Sequence, residues 1–316
     1  MTDRPDFGAV LGAGREFDLV RAMQRRWGTL ARGIGDDAAV LDVPPGERLV
    51  VSTDSSVEGV HFRRGWLGAE EIGYRATSAA LSDLAAMAAS PLGFVVAIAL
   101  PDEWRAELPG LVDGIGVAAR ESAAPVIGGD MTSGRDLALT VTVLGHAVAP
   151  LARTGARTGD ALWVTGRLGG PLAALRAFEA GRVPDAAHRA RFARPVPRLA
   201  AARWLAAHGA HALIDVSDGL LAEAGHLAAA SGVRIVVDLE RLPCLTGIAA
   251  RDAARSGEEY ELLVAAPATL DAEAFAAACA LPLTCVGRIE AGAPVAEAWE
   301  AGARVDLATG HDHFSG

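Results

Sequence analysis

Five short acidic segments carry residue types that could bind metal and phosphate: Gly33-Ile34-Gly35-Asp36-Asp37, Ser52-Thr53-Asp54, Ser82-Asp83-Leu84, Gly128-Gly129-Asp130 and Asp215-Val216-Ser217-Asp218-Gly219. Any one of them reads first as a turn, because Asp bonds its own backbone and Gly tolerates positive φ. Together they suit magnesium, a hard cation that binds through one or two carboxylates plus waters and phosphate oxygens. Several such ions are needed where an anionic donor and an anionic acceptor phosphate approach for in-line transfer. Gly128, Gly129 and Gly219 would then admit backbone to a phosphate, or open a helix whose amides face an anion. Asp83 differs from the others because it interrupts Ala79-Ala80-Leu81 and Leu84-Ala85-Ala86-Met87 on an otherwise apolar helix. Either it faces solvent or it meets a cation or a donor, since a buried carboxylate without one is costly.

The elements that must hold these segments alternate between helix and strand. Arg15 to Arg26 is helix-like, and Ala39 to Val43 and Arg48 to Thr53 read as strands on either side of Pro44-Pro45-Gly46. Ala69 to Ala89 is a long apolar helix, Gly93 to Leu100 an apolar strand, Pro101 to Glu121 a helix, and Leu137 to Ala147 an alternating strand. After the turn-rich Pro150 to Gly159 the pattern resumes. It gives strands at Ala161 to Thr165, Ala212 to Asp215, Val233 to Asp238, Tyr260 to Ala265 and Leu283 to Ile289, and helices from Pro171, Pro197 and Gly219. Asp54 and Asp215 follow apolar strand-like runs, at the carboxyl ends of strands where α/β proteins bind ligands. At 316 residues the chain is too long for one typical core, and the expectation is an α/β (α+β) protein of two domains, 1–149 and 150–316.

The composition excludes several chemistries. The chain contains no lysine and no asparagine, so its 29 basic side chains are all arginine. A Walker lysine, a protein-kinase strand lysine and a pyridoxal Schiff base are therefore ruled out. A net charge of −10 argues against a nucleic-acid or anionic-membrane surface. No apolar run reaches the roughly 18 residues of a membrane span, and Met1 to Gly14 lacks a basic segment followed by an apolar core, so the chain reads as cytoplasmic. Cys244, Cys279 and Cys285 show neither an even count nor C-x-x-C spacing, which points to free thiols. Gly12-Ala13-Gly14 follows no convincing strand and is not a dinucleotide fingerprint.

The acidic segments belong to a longer ordered set: Gly33 to Ala38, Ser52 to Asp54, Gly59-Val60-His61-Phe62, Leu81 to Met87, Gly128 to Asp130, Arg153, Asp215 to Leu220 and Gly257-Glu258-Glu259-Tyr260-Glu261-Leu262. In order and spacing across nearly the whole chain, this set resembles the thiamine-monophosphate kinase family. Gly59 to Phe62 and the Glu258 to Tyr260 segment separate it from the aminoimidazole-ribonucleotide synthetase and selenophosphate synthetase relatives that share the architecture. The resemblance implies a two-domain aminoimidazole-ribonucleotide synthetase-like fold. In it the N-terminal domains of a homodimer pair their sheets into an intersubunit β-barrel, the C-terminal domain is an α/β sandwich, and nucleotide lies near the subunit interface. It also implies ATP as co-substrate, several Mg2+ ions and thiamine monophosphate as acceptor. By motif position, Asp37, Ser52, Thr53, Asp54, Asp83, Asp130, Asp215 and Asp218 are similar to magnesium ligands or their neighbours. Gly129, Asp130, Arg153 and Ser217 are similar to ATP contacts, with Asp130, Arg153 and Asp218 closest to the chemistry. His61, Glu258 and His311 are similar to substrate-side residues. The family usually has Asp where Glu259 stands, Thr-Thr-Arg-Gly where Met131-Thr132-Ser133-Gly134 stands, and an aromatic residue where His311 stands.

The expected reaction is direct transfer of the ATP γ-phosphoryl group to a phosphate oxygen of thiamine monophosphate. That acceptor is already an anion, so no strong general base is required. Two alternatives remain: another ATP-using member of the superfamily that activates an amide or carbonyl oxygen, and a nucleotide-binding protein without turnover.

Overall fold

In the computed structural model of the chain, residues 14–35 and 37–307 are described, with the backbone alone described at 15–17. They form two compact units, one comprising the chain through Leu84 with Ser90–Ala149, the other Ala85–Ala89 with the chain from Pro150.

The first unit contains α1 (Arg15–Trp27), β1 (Arg48–Val57), most of α2 (Ala69–Ala86), β2 (Ser90–Leu100), α3 (Leu108–Glu121), β3 (Val126–Ser133) and β4 (Ala138–Ala147). Its sheet has the order β1-β4-β2-β3, antiparallel except for the parallel β2–β3 pair. Alternation along the strands sends Phe94, Val96, Ile98, Leu139, Val141 and Val143 into the core on one face. Leu84 of α2 lies against the same face, since a Cβ on Gly145 would come within 3.0 Å of it. On the opposite face Leu49 and Val51 of β1 remain 51% and 54% exposed. Helices α2 and α3 approach until their backbones touch: a Cβ on Gly73 would sit 2.1 Å from the Leu111 carbonyl oxygen, and one on Gly114 1.9 Å from that of Glu70.

Three local expectations change. Residues 39–43 are not a strand, because Val40 is 87% exposed and Pro44 and Pro45 withhold amide donors next to it. The helix expected from Pro101 is a single turn, Asp102–Trp104, with α3 starting separately at Leu108. The Gly128-Gly129-Asp130 segment lies inside β3 rather than in a turn. It pairs with β2 in the register Val96↔Gly129, where a Cβ on Gly129 would lie 2.1 Å from the Val96 carbonyl oxygen.

The second unit contains β5 (Asp160–Thr165), α4 (Gly170–Glu179), α5 (Ala186–Ala193), α6 (Leu199–Ala207), β6 (Ala212–Asp215) and α7 (Leu220–Ser231). These are followed by β7 (Arg234–Asp238), α8 (Ala250–Ala253), β8 (Leu262–Pro267), α9 (Ala272–Cys279), β9 (Leu283–Glu290), β10 (Ala296–Glu300) and β11 (Ala303–Val305). The sheet order is β11-β10-β7-β9-β5-β8-β6, with β7 and β10 parallel. Every residue of β5 and β6 is buried, so this sheet is covered on both faces. Leu162, Val164, Ile214, Leu263 and Ala265 pack with Leu220, Leu221, Ala224 and Leu227 of α7 in one core. Among the described residues no helix is long and apolar enough to cross a membrane.

Candidate functional site

In the first unit, strand β1 and the last turns of α2 bring two of the acidic segments together. The burial alternation of β1 places Ser52 and Asp54 on the face that carries buried Val50 and Ser56. The Ser52 hydroxyl donates to Asp83 Oδ2 at 2.6 Å, which is the donor that the half-buried Asp83 requires. Asp54 Oδ1 accepts the Ser55 N–H at 2.8 Å. Thr53 projects to the other face, its hydroxyl 3.0 Å from that of Thr142. Asp130 is exposed on β3, and Asp37 is exposed ahead of β1.

Asp54 and Asp130 are not brought together within this sheet. The register runs from Asp54 through Val141 and Val96 to Gly129, so Asp54 and the neighbour of Asp130 occupy one transverse row. They lie on the two edge strands, three strand spacings or roughly 14 Å apart. Among the described residues no group of three or more His, Cys, Asp or Glu side chains is arranged to hold a metal ion. The donors at Ser52, Asp54 and Asp83 are nevertheless hard oxygens, with carboxylates too few for a closed cage, which is the donor set for an ion completed by water and phosphate oxygens.

The loop after β1 carries His61. Gly59 N–H donates to the Phe62 carbonyl at 2.7 Å, closing a tight turn that glycine enables with φ +85°. The Val57 N–H donates to His61 Nδ1 at 3.1 Å, so the neutral ring carries its proton on Nε2.

In the second unit, Asp215 ends β6 and is 6% exposed, while Ser217 and Asp218 are half-buried in the turn before α7. This turn is fixed from two sides. From α7, Glu223 Oε1 accepts the Ser217 hydroxyl at 3.1 Å and the Asp218 N–H at 3.0 Å. Burial drives the Glu223 carboxyl above its ordinary range, although both donors favour its charged form. From the other side, the segment 257–261 runs along the turn. Glu258 N–H donates to the Ser217 carbonyl at 2.6 Å, Tyr260 N–H to that of Val216 at 2.9 Å, and Val216 N–H to that of Glu261 at 2.8 Å. Glu258 and Tyr260 adopt left-handed backbone at φ +58° and +52°, which costs on the order of 1–3 kcal/mol each for non-glycine residues and is held by these bonds. Ser217, Asp218 and Glu258 are thus brought together. Arg153 is exposed, and its carbonyl accepts the Ser231 hydroxyl at 3.0 Å.

Behind Glu258 lies a buried charge cluster. Arg198 forks onto Glu261, with Nε 2.9 Å from Oε2 and Nη2 2.5 Å from Oε1, while Arg191 Nη2 donates to Glu261 Oε1 at 2.8 Å and to the Glu259 carbonyl at 3.0 Å. Thr165 Oγ1 also donates to Glu261, at 2.7 Å, and Glu259 Oε1 accepts the Gly169 N–H at 2.5 Å. Burial opposes the charge on Glu261, but Arg198 and Arg191 outweigh it and hold the carboxyl below its ordinary range. Glu259 goes the other way, because burial exceeds the pull of Arg191 and pushes its pKa to about 7.

Glu223, Arg191 and Arg198 were not flagged by sequence reasoning. For Glu223 a signal existed: it interrupts Leu220-Leu221-Ala222 and Ala224 as Asp83 interrupts its helix. The arginines gave none, because in a lysine-free chain a buried guanidinium looks like any surface charge. His311 lies outside the described residues.

Comparison with known proteins covers both units. The family described as AIR synthase related protein, N-terminal domain, matches residues 35–147, and its C-terminal domain counterpart matches residues 157–300. The thiamine-monophosphate kinase of Rhodopirellula baltica is 35% identical over 85% of this chain and 87% of its own length. The crystal structure of thiamine-monophosphate kinase from Stenotrophomonas maltophilia K279a superposes with a TM-score of 0.81 at 36% identity, covering 93% of this chain and 98% of that one. The structure of AaThiL complexed with AMPPCP and TMP gives a TM-score of 0.77 at 28% identity, covering 95% of this chain and 97% of that one.

Proposed function

The chain belongs to the thiamine-monophosphate kinase family of AIR synthase-related proteins, and we propose that it phosphorylates thiamine monophosphate to thiamine diphosphate by direct in-line transfer from ATP. The observation that carries this reading is the bond from Glu258 N–H to the Ser217 carbonyl at 2.6 Å, which joins the expected acceptor-side residue to the expected ATP-side residue. An anionic phosphate oxygen of thiamine monophosphate attacks the γ-phosphorus, the bond from that phosphorus to the β,γ-bridging oxygen breaks, and ADP leaves with the electron pair. No proton has to be removed from the attacking oxygen.

Ser217 and Gly129 hold the nucleotide in this proposal, with Arg153 offering a planar fork to the transferring phosphoryl group. Asp37, Ser52, Asp54, Asp83, Asp130, Asp215 and Asp218 would hold Mg2+ directly or orient its ligands, and Thr53, whose side chain lies on the other face of β1, joins them by motif position alone. Bound Mg2+ would supply charge neutralisation between donor and acceptor phosphates. His61 and Glu258 orient the acceptor. His311 joins the acceptor side by motif position alone.

The proposal includes a homodimer formed by the domain 1–149, with 150–316 as the second domain, acting in the cytoplasm where ATP is supplied. Two observations support the dimer. The β1 side of the four-stranded sheet leaves Leu49 and Val51 uncovered, and its edge strands carry Asp54 and Asp130. Closing two such sheets into a barrel joins their edges, and with them the separated carboxylates. Chromatography of a reaction containing ATP, Mg2+ and thiamine monophosphate tests the reading. ADP and thiamine diphosphate in equal amounts are expected; intact ATP, or ADP with a different product, would overturn it.

A further inference from the structure

Glu223 is 1% exposed on a helix turn whose other residues are apolar, so its carboxylate is desolvated without forming any bond that α7 itself needs. The helix makes its own first bond, from the Glu223 N–H to the Gly219 carbonyl at 3.0 Å. The Glu223 side chain bonds outside the helix, to the Ser217 hydroxyl and the Asp218 N–H. A single oxygen accepts both, so one atom fixes the rotamer of Ser217 and the peptide plane ahead of Asp218. The far side of the turn is closed by backbone. A Cβ on Gly219 would lie 3.0 Å from the Arg255 carbonyl carbon, and one on Gly257 2.7 Å from the Ser217 carbonyl oxygen. That same Ser217 carbonyl receives the Glu258 N–H.

We infer that Glu223 is a positioning residue, which sets the Ser217-Asp218 turn for the nucleotide and, through the Ser217 carbonyl, sets Glu258 for the acceptor. It works as a hydrogen-bond acceptor at a fixed reach, and its charge is not what the turn uses. This inference rests on the proposed roles of Ser217, Asp218 and Glu258. It departs from a purely structural role, in which loss of Glu223 lowers melting temperature but leaves the folded molecules fully competent. It departs equally from a metal-ligand role, in which charge is required.

The test compares Glu223→Gln, which keeps reach and an acceptor oxygen but removes charge, with Glu223→Asp, which keeps charge but withdraws the acceptor by one methylene. Affinity for a non-hydrolysable ATP analogue with Mg2+ is read by calorimetry, and KM for ATP and for thiamine monophosphate by steady-state kinetics, all well below the melting temperature. The glutamine variant should stay within about threefold of the unchanged protein. The aspartate variant should lose at least tenfold in analogue affinity, with KM raised for both substrates. Aspartate performing as well as glutamine or better, or both variants matching the unchanged protein, would overturn the inference. If the unchanged protein makes no thiamine diphosphate, the kinase reading fails on its own, and the calorimetric comparison still decides the role of Glu223.

Discussion

Asp130 and Asp218 occupy positions where charge rather than shape is the useful property. Asp130 is exposed on an edge strand, and the backbone of Asp218 is already held through its N–H, so neither carboxylate is required to keep its local fold. Replacing either with Asn should lower turnover at least tenfold, about 1.4 kcal/mol of barrier, with partial rescue by excess Mg2+. The melting temperature of the ligand-free variants should hold, or rise for Asp218→Asn, because the Asp218 charge opposes that of Glu223. A loss of stability near 1 kcal/mol with unchanged magnesium dependence would make both residues turn or cap residues instead. Asp83 was legible in the sequence because a carboxylate on an apolar helix needs a donor, and Ser52 is that donor. Thr53 was legible only as part of its motif. Which face of β1 it occupies depends on strand register, which the motif does not carry.

The Glu259-Glu261 cluster ties β8 to α5, to Arg198 ahead of α6 and to the end of β5, and its two carboxylates respond to pH with opposite signs. Glu259 has its folded pKa raised from an ordinary 4.5 to about 7, so the folded state holds the proton more tightly than the unfolded chain between those values. Its contribution to stability is fully present below about pH 4.5 and is lost as pH rises through 7. Glu261, held below its ordinary value, contributes above that value and loses its contribution only as pH falls beneath it. Between pH 4.5 and 7 Glu261 therefore adds no pH dependence, and comparison with Glu259→Gln cancels the contribution of Glu223, whose carboxyl burial also raises. Urea denaturation across this range should show the unchanged protein losing stability relative to Glu259→Gln as pH rises, with the difference flat above about pH 8. A difference that does not vary with pH would mean Glu259 is ionised throughout. At this scale the long apolar helix α2 and the alternating strand β4 were readable from periodicity alone. β3 was hidden because its Gly-Gly-Asp run has the composition of a turn, and α5, Ala-Ala-His-Arg-Ala-Arg-Phe-Ala, because only Phe192 and Ala193 are buried, too few to show a helical period.

For the whole molecule, the uncovered face of the first sheet is the feature a single chain leaves unfinished. Light scattering should give twice the mass of one chain at micromolar concentration, and Val51→Asp, which puts charge on that face, should give a folded monomer with little turnover. An active monomer would remove the dimer from the proposal. The division of the acidic segments between two domains was expected from chain length and from the turn-rich Pro150 to Gly159. In the proposed reaction the acceptor must already carry a phosphate. Following thiamine and thiamine monophosphate side by side with ATP and Mg2+ by phosphorus NMR tests this directly. Growth of the thiamine diphosphate signals is expected from thiamine monophosphate alone, and equal phosphorylation of free thiamine would overturn the proposed reaction.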